Sequence, residues 1–181
     1  MPSSVSAFHF DLVRAHDLEM LRTWLLEPHV AEWWGEAESI EELHEAYVRW
    51  QDAPKATRAY IVSIHNKPLG FIQSYVAMGS GGGWWEDETD PGVRGIDQFL
   101  ANVEQLNQGI GRSMIRVFVE QLFADPAVTL VQTDPSPRNK RAIRCYSHAG
   151  FHPVREIVTP DGPALLMHCS KESLRGAHSA A

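Results

Sequence analysis

A glycine-rich turn lies between a predicted strand and a predicted helix in the second half of the chain. It reads Gln108-Gly109-Ile110-Gly111-Arg112. Glycines let backbone N–H groups approach a ligand closely, and the N-terminus of the following helix adds about half a positive charge. Such a turn can hold a pyrophosphate, although a Gly-x-Gly sequence is more often only a tight connection. The third glycine of a dinucleotide site and the Gly-Lys-Ser/Thr of a Walker loop are both missing from the sequence.

A second pattern follows downstream, where Asn139 stands near the start of a predicted helix and Tyr146 comes seven residues later, before Gly150-Phe151. This spacing places the amide and the phenol on one helix face. Together with the glycine turn, the pattern resembles the acetyl-CoA motifs of the GCN5-related N-acetyltransferases, the GNAT family. One departure is Leu106, which stands where that family usually has Arg or Gln, so we expect the backbone of the turn to carry the pyrophosphate contacts.

The resemblance implies both a fold and a cosubstrate. The fold is α/β (α+β), with a mixed, mostly antiparallel central sheet, splayed central strands and helices on both faces. In the family the Asn contacts the pantetheine arm of acetyl-CoA and the Tyr points at the thioester sulfur. The expected acetyl-CoA contacts are Gln98, Phe99, Leu100, Gln108, Gly109, Ile110, Gly111, Arg112, Asn139 and Tyr146.

Longer strings between about Phe8 and about Met167 narrow the resemblance to the aminoglycoside 6'-N-acetyltransferases of the resistance type. The implied reaction is direct transfer of acetyl from acetyl-CoA to the 6'-amino group of an aminoglycoside. The strings that carry this resemblance are Glu32-Trp33-Trp34-Gly35, Gln73-Ser74-Tyr75-Val76-Ala77, Gly83-Trp84-Trp85-Glu86, and the runs 88–98, 132–137 and 159–164.

A polycationic sugar requires carboxylates and flat aromatic faces in its pocket. One Trp of each adjacent pair should belong to the core and the other to the pocket wall. The acids of residues 86–90 can equally be a solvated charge run, and Asp134 can equally cap the turn that follows it. The expected substrate contacts are Trp34, Tyr75, Trp84, Trp85, Glu86, Asp97, Asp134 and Asp161.

Asp97 is the predicted catalytic base, because a lone carboxylate in an apolar strand is costly to bury without a partner. It would take the proton of the substrate ammonium, directly or through water, and the resemblance supports this role. Backbone N–H groups near residues 98–102 would hold the carbonyl oxygen. Tyr146 is the second predicted catalytic residue, because a phenol can protonate the departing thiolate. Neither Cys145 nor Cys169 has the neighbours of an activated nucleophile.

Composition limits the other function classes. The 181 residues, with 44% hydrophobic and 22% charged residues, fit a single domain over 1–181 with a core of about 8–169. The net charge of −7 argues against nucleic-acid binding, and the two cysteines suggest neither a disulfide framework nor a zinc cluster. We expect no bound metal either. No membrane span or signal peptide is recognisable, so we expect a cytoplasmic protein. The sequence leaves monomer and homodimer open.

Hydrophobic periodicity predicts strands and helices in the order β-α-α-β-β-β-α-β-α-β-β. The tail from Ser170 to Ala181 is polar and is expected to fray. A four-residue connection, 65–68, should join the second and third strands. The predicted strands are 8–13, 58–64, 69–78, 93–103, 128–133, 151–158 and 164–169, and the predicted helices are 18–27, 39–52, 109–123 and 138–149.

Two alternative functions remain at this point. One is a GNAT enzyme that acetylates a protein N-terminus or another small amine, because an acidic pocket suits several cations. The other is a CoA-binding protein without catalytic activity.

Overall fold

A computed structural model describes residues 7–53 and 57–179 of the chain. Elements are numbered in chain order. The strands are β1 (Phe8–Leu12), β2 (Arg58–Ile64), β3 (Lys67–Val76), β4 (Val93–Leu100), β5 (Leu130–Thr133), β6 (His152–Thr159) and β7 (Gly162–Cys169). The helices are α1 (Leu18–Leu25), α2 (Pro28–Trp34), α3 (Ile40–His44), α4 (Ile110–Phe123), α5 (Lys140–Ala149) and α6 (Lys171–Ser179).

The strands form a seven-stranded sheet in the order β1-β2-β3-β4-β5-β7-β6. The pairs β1/β2, β5/β7 and β6/β7 are antiparallel, and β4/β5 is parallel. The parallel ladder joins Val93–Gly95 to Leu130–Gln132. The predicted fold class, a mixed and mostly antiparallel sheet with helices, is confirmed.

The chain divides into two compact units, and strands β3 and β4 contribute residues to both. The first unit ends at Gln73 and also includes Gln98–Leu106. Its core contains the leucines of α1, which recur every three or four residues and so lie on one helix face. Phe71 and Phe99 stack in this core with ring centroids 5.3 Å apart.

The second unit comprises Ser74–Asp97 and the chain from Asn107 onward. Helix α4 buries a stripe of four apolar side chains, and α5 ends at Gly150, whose φ of +109° matches a left-handed cap. The prediction that the tail frays is wrong for its described part, because Lys171–Ser179 forms α6 and Leu174 is only 5% exposed. Ala180 and Ala181 lie outside the described residues. Burial of this one leucine gives the polar segment a fixed place.

Proline and turn chemistry explain the main differences from the predicted elements. The helix predicted over 18–27, which was expected to stop before Pro28, ends at Leu25. Pro28 then begins a helix that was not predicted, α2, because proline fits the first turn, where its missing N–H is not needed. The connection between β2 and β3 has two residues rather than four, since His65 and Asn66 both adopt positive φ, of 49° and 61°. Strand β4 ends at Leu100 instead of residue 103, and β5 begins at Leu130 instead of residue 128.

Among the helices formed by residues 7–53 and 57–179, none has the length and apolar character of a membrane-spanning segment.

Candidate active site

Two carboxyls lie at equivalent positions just beyond the parallel ladder of β4 and β5. The last pair of that ladder is Gly95 with Gln132. Asp97 and Asp134 each follow two residues later, and alternate residues of a strand point to one face. Both carboxyl residues are half-buried. The register therefore brings two acids to the same sheet face, where the strands stop pairing.

Strand β7 supports the other side of β5 along the same stretch. Gln132 pairs with His168, and the backbone N–H of Leu165 donates to the carbonyl of Pro135 at 2.9 Å. This last bond keeps the chain extended past the end of β5. Asp134 and Gln132 consequently lie on one face of the sheet.

Tyr75 of β3 covers Gly95 of β4. A Cβ atom built on Gly95 would overlap the Cζ and hydroxyl end of the Tyr75 ring. The indole Nε1 of Trp85 donates to the Tyr75 hydroxyl at 3.1 Å, which fixes the phenol in place. Glycine at position 95 is therefore needed to admit a phenol beside the two acids.

Gly95→Ala is expected to lower the free energy of unfolding by about 1–3 kcal/mol, because the added methyl must displace the Tyr75 ring. Thermal unfolding measures this loss, and tryptophan fluorescence reports the broken bond from Trp85. Gly176→Ala is the matched control, since a Cβ at Gly176 meets nothing within 4 Å. Wild-type unfolding and fluorescence in Gly95→Ala would contradict the close approach.

The acids of this face share one electrostatic environment. Burial, and then the charges of Asp97 and Asp161, raise the pKa of Asp134 to about 8. Burial also raises the pKa of Tyr75 well above its ordinary value, and Asp97, Asp134 and Tyr146 raise it further. At neutral pH the Asp134 carboxyl therefore holds a proton that an approaching cation can drive off.

Asp134→Asn is expected to raise the free energy of unfolding above that of the wild type, and this gain should grow as the pH rises. The carboxyl binds a proton more tightly in the folded chain, with a pKa of about 8, than in the unfolded chain, where its pKa has the ordinary value of 3.8. Between these values the wild type loses stability with rising pH, and above about 8 the loss is complete. The gain in melting temperature should thus grow from pH 5 to pH 8 and then level off. The exposed Asp52→Asn serves as control, and a pH-independent gain in Asp134→Asn would contradict the raised pKa.

The glycine turn opens α4 with a left-handed residue. Gly109 has a φ of +79° and caps the helix, and the Ser113 N–H and hydroxyl both donate to its carbonyl. The first N–H groups of any helix lack partners within it, so the start of α4 offers anion-binding donors next to Arg112. This geometry fits a pyrophosphate.

Asn139 caps α5, where its Oδ1 accepts the N–H of Ala142 at 3.0 Å. The side-chain Nδ2 is the end left to contact a ligand. Burial raises the pKa of the Cys145 thiol to about 11, against smaller opposing effects of Arg112 and Arg141. The thiol is therefore protonated at neutral pH, which does not suit a nucleophile.

The family is decided by a match over most of the chain. A family model described as the acetyltransferase (GNAT) domain matches residues 14–159. The chain belongs to the GNAT acetyltransferase family. The resemblance noted from the two acetyl-CoA motifs is confirmed.

Similar proteins agree with this membership. The chain is 49% identical to an aminoglycoside N(6')-acetyltransferase type 1 from Klebsiella pneumoniae, over 94% of this chain and 86% of that protein. It is 52% identical to a protein of the same name from Serratia marcescens, over 86% of this chain and 79% of that one. A solved structure of AAC(6')-Ib with paromomycin and acetyl-CoA matches with a TM-score of 0.89 at 48% identity, covering 97% of this chain and 99% of that one.

Within this GNAT chain, the second unit holds most of the residues that the sequence singled out. Asp97, Asp134, Tyr75 and Tyr146 interact electrostatically there, and Trp85 contacts Tyr75. Trp84 lies beside Trp85 with ring centroids 6.1 Å apart. Glu86 and Asp161 are exposed on loops, and the charge of Asp161 acts on Asp134.

The first unit holds the other predicted site residues. Trp34 packs edge-on against Phe71 and Phe99, at centroid distances of 5.5 and 5.1 Å, so its ring contacts the core of that unit. Gln98 and Phe99 belong to the end of β4, and the carbonyl of Leu100 is hydrogen-bonded to Nε2 of His29 at 2.9 Å. Their contact with acetyl-CoA stays a prediction.

Sequence reasoning missed Gly95 and Gln132. A glycine inside a strand often marks a close backbone approach, and this signal could have pointed to Gly95. Gln132 carries no such signal, because its importance depends on which strands pair beside it. Across residues 7–53 and 57–179, no group of three metal-ligating side chains occurs.

Proposed function

We propose that this chain is an aminoglycoside 6'-N-acetyltransferase that uses acetyl-CoA and acts in the cytoplasm. The observation that carries the proposal is the pair Asp97 and Asp134, half-buried on one sheet face beside Tyr75, in a chain about half identical to enzymes of that name. Burying two carboxyls on one sheet face is costly unless a partner of opposite charge binds there, and a cationic amine is such a partner.

Acetyl-CoA supplies the acetyl group as an activated thioester. The turn from Gln108 to Arg112 is suited to hold its pyrophosphate, because the turn ends in a helix N-terminus and a left-handed glycine. The Nδ2 of Asn139 is suited to bind the pantetheine arm. The backbone of residues 98–100 is the proposed contact for the acyl group.

Proton movement is assigned to three side chains. A carboxylate oxygen of Asp97 accepts the proton of the substrate ammonium, so the amine acquires the lone pair with which it attacks. The carboxyl of Asp134 binds the cation, and the positive charge of the cation favours its ionised form. The phenol oxygen of Tyr146 donates the proton that the leaving sulfur requires.

Release of free thiol from acetyl-CoA tests the function directly. The panel contains a matched pair of aminoglycosides that carry an amine or a hydroxyl at the 6' position, together with a peptide N-terminus and a polyamine. We expect fast thiol release only with the 6'-amine and a product with one added acetyl group. Faster turnover of the peptide or polyamine would favour another amine as the substrate. Binding of acetyl-CoA without any turnover would favour a non-catalytic protein.

Antibiotic resistance tests the function in cells. Expression in a susceptible bacterium should raise the inhibitory concentration of a 6'-amino aminoglycoside but not that of its 6'-hydroxyl partner. The Asp97→Asn variant, expressed at the same level, should confer little protection.

Asn139→Ala is expected to raise the KM for acetyl-CoA about fivefold with little change in kcat, because one hydrogen bond worth about 1 kcal/mol is lost in ground and transition states alike. The variant also loses the cap of α5 and about 1 kcal/mol of stability. Asn139→Ser is the control, since its hydroxyl can cap the helix but has no amide donor. A wild-type KM in Asn139→Ser would remove the side chain from the cosubstrate site.

A further inference from the structure

The side chain of Gln132 is buried beneath the candidate active site. The residue is 2% exposed, and its Nε2 has no hydrogen-bond partner among the residues that the structure describes. A buried amide donor without an acceptor is destabilising, and such groups are rare in folded proteins. An acceptor close to Gln132 should therefore satisfy this donor in at least one state of the site.

Strand pairing limits the groups that can reach this donor. Gln132 stands between Gly95 of β4 and His168 of β7. Gly95 has no side chain, and the space above it is occupied by the Tyr75 ring, whose hydroxyl accepts from Trp85. Asp134 follows just past the end of β5 on the same face, about 7 Å along the extended chain, which is within reach of a Gln and an Asp turned toward each other.

Ionisation changes what the Asp134 carboxyl can accept. A protonated carboxyl is itself a donor, whereas a carboxylate only accepts and has about four lone-pair sites. Since the Asp134 carboxyl is protonated at neutral pH in the free site, its demand for donors rises when a substrate ammonium displaces the proton. The buried amide of Gln132 is a donor without a partner in the described part of the chain, two residues away on the same face and within side-chain reach of that carboxyl.

We propose that Gln132 is a positioning residue whose Nε2 donates to the carboxylate of Asp134 when that group ionises beside the substrate ammonium. The role rests on the proposed function, because the substrate supplies the ammonium. Gln132 stabilises the ionised form and fixes the orientation of the carboxylate. The residue acts through Asp134 and touches no reacting atom.

Several charged or titratable groups surround Asp134 and remain in place when Gln132 is replaced. They are Asp97 of β4, Asp161 in the turn between β6 and β7, and Tyr75 of β3. His168 of β7 lies beside Gln132, and burial lowers its pKa while Glu88 and Arg155 act on it in opposite directions. A change in Asp134 titration on replacing Gln132 alone therefore reports on the amide.

Gln132→Met tests the proposal, because Met has a similar length and no N–H. Carboxyl carbon NMR, with the Asp134 signal assigned by its loss in Asp134→Asn, measures the titration in the complete protein. We expect the midpoint of Asp134 to rise by about one pH unit, since a hydrogen bond to a charged group is worth about that much. The control is Thr133→Val, which alters a buried residue on the opposite face of β5 and should leave the midpoint unchanged.

Kinetics provides a second readout. In Gln132→Met, kcat/KM for a 6'-amino aminoglycoside should fall about tenfold at pH 6 and less at pH 9, and the acidic limb of the pH profile should move upward. In an Asp134→Asn background the same substitution should have no further effect on the profile. An equal loss at every pH, repeated in that background, would mean that Gln132 only fills space and would overturn the proposal.

A midpoint of Asp134 that does not move in folded Gln132→Met would also overturn it. If Gln132→Met does not fold, Gln132→Leu also removes the N–H without adding a polar group and should raise the midpoint by a similar amount; an unchanged midpoint there has the same consequence. The titration needs no aminoglycoside. Failure of the wild type to acetylate would thus contradict the proposed function, while an unmoved midpoint would contradict only the role of Gln132.

Discussion

Asp97→Asn is expected to lower kcat/KM for a 6'-amino aminoglycoside by about 100-fold or more. The substrate amine arrives protonated, and an amide cannot accept the proton that must leave before attack. Asn has nearly the shape of Asp, and Asp97 is only half-buried, so the fold should survive. Steady-state kinetics at saturating acetyl-CoA, together with a melting curve, measures both outcomes.

Asp161→Asn is the matched comparison for this substitution. Asp161 is exposed on the turn between β6 and β7, outside the strands that carry the site. Its charge nevertheless acts on Asp134. Its removal should weaken aminoglycoside binding several-fold at most and leave kcat nearly unchanged, because it contributes attraction rather than proton transfer. A loss below about threefold in Asp97→Asn would mean that water accepts the proton, and the role of Asp97 would have to be withdrawn.

Tyr146→Phe is expected to reduce kcat by about 100-fold while leaving the KM for the aminoglycoside nearly unchanged. The substitution removes only the phenol oxygen, which is the proposed proton donor to the leaving sulfur. Tyr146 is 4% exposed and packs against Phe151 at a centroid distance of 5.3 Å, so a phenyl ring keeps these contacts.

Product release can mask such an effect if it limits turnover. Single-turnover acetylation separates the two steps, and the chemical rate should show the full loss. Phe151→Leu is the packing control, because it disturbs the ring contact of Tyr146 but keeps the phenol. If Tyr146→Phe and wild type have equal single-turnover rates, another group protonates the sulfur.

The fold was predictable wherever local pattern determined the structure. The apolar stripe of α4 recurs at helical spacing, and Gly150 follows the last residue of α5 as a cap should. The helix that begins at Pro28 was missed, because a proline that follows one helix can also begin the next, and the choice depends on the chain around it. The tail was misjudged because the stability of α6 depends on burying Leu174, a contact that the sequence of the tail does not reveal.

The site was predictable to the extent that single residues stood out from their surroundings. Asp97 stood out as an acid within an apolar strand. Asp134 was ambiguous, because only the register of β4 with β5 places it level with Asp97. Gln132 was missed for the same reason, since neighbours across three strands define its environment and none of them is near it in sequence.

The contact between Tyr75 and Gly95 also constrains the order in which mutations can accumulate. A side chain bulkier than alanine at position 95 is tolerated only in a lineage where position 75 has already become smaller, because the two side chains would compete for one volume. The first step of that path removes the partner of Trp85 and creates a void, so the intermediate is less stable than either end point. Natural variation that reshapes this part of the pocket should therefore change position 75 before position 95.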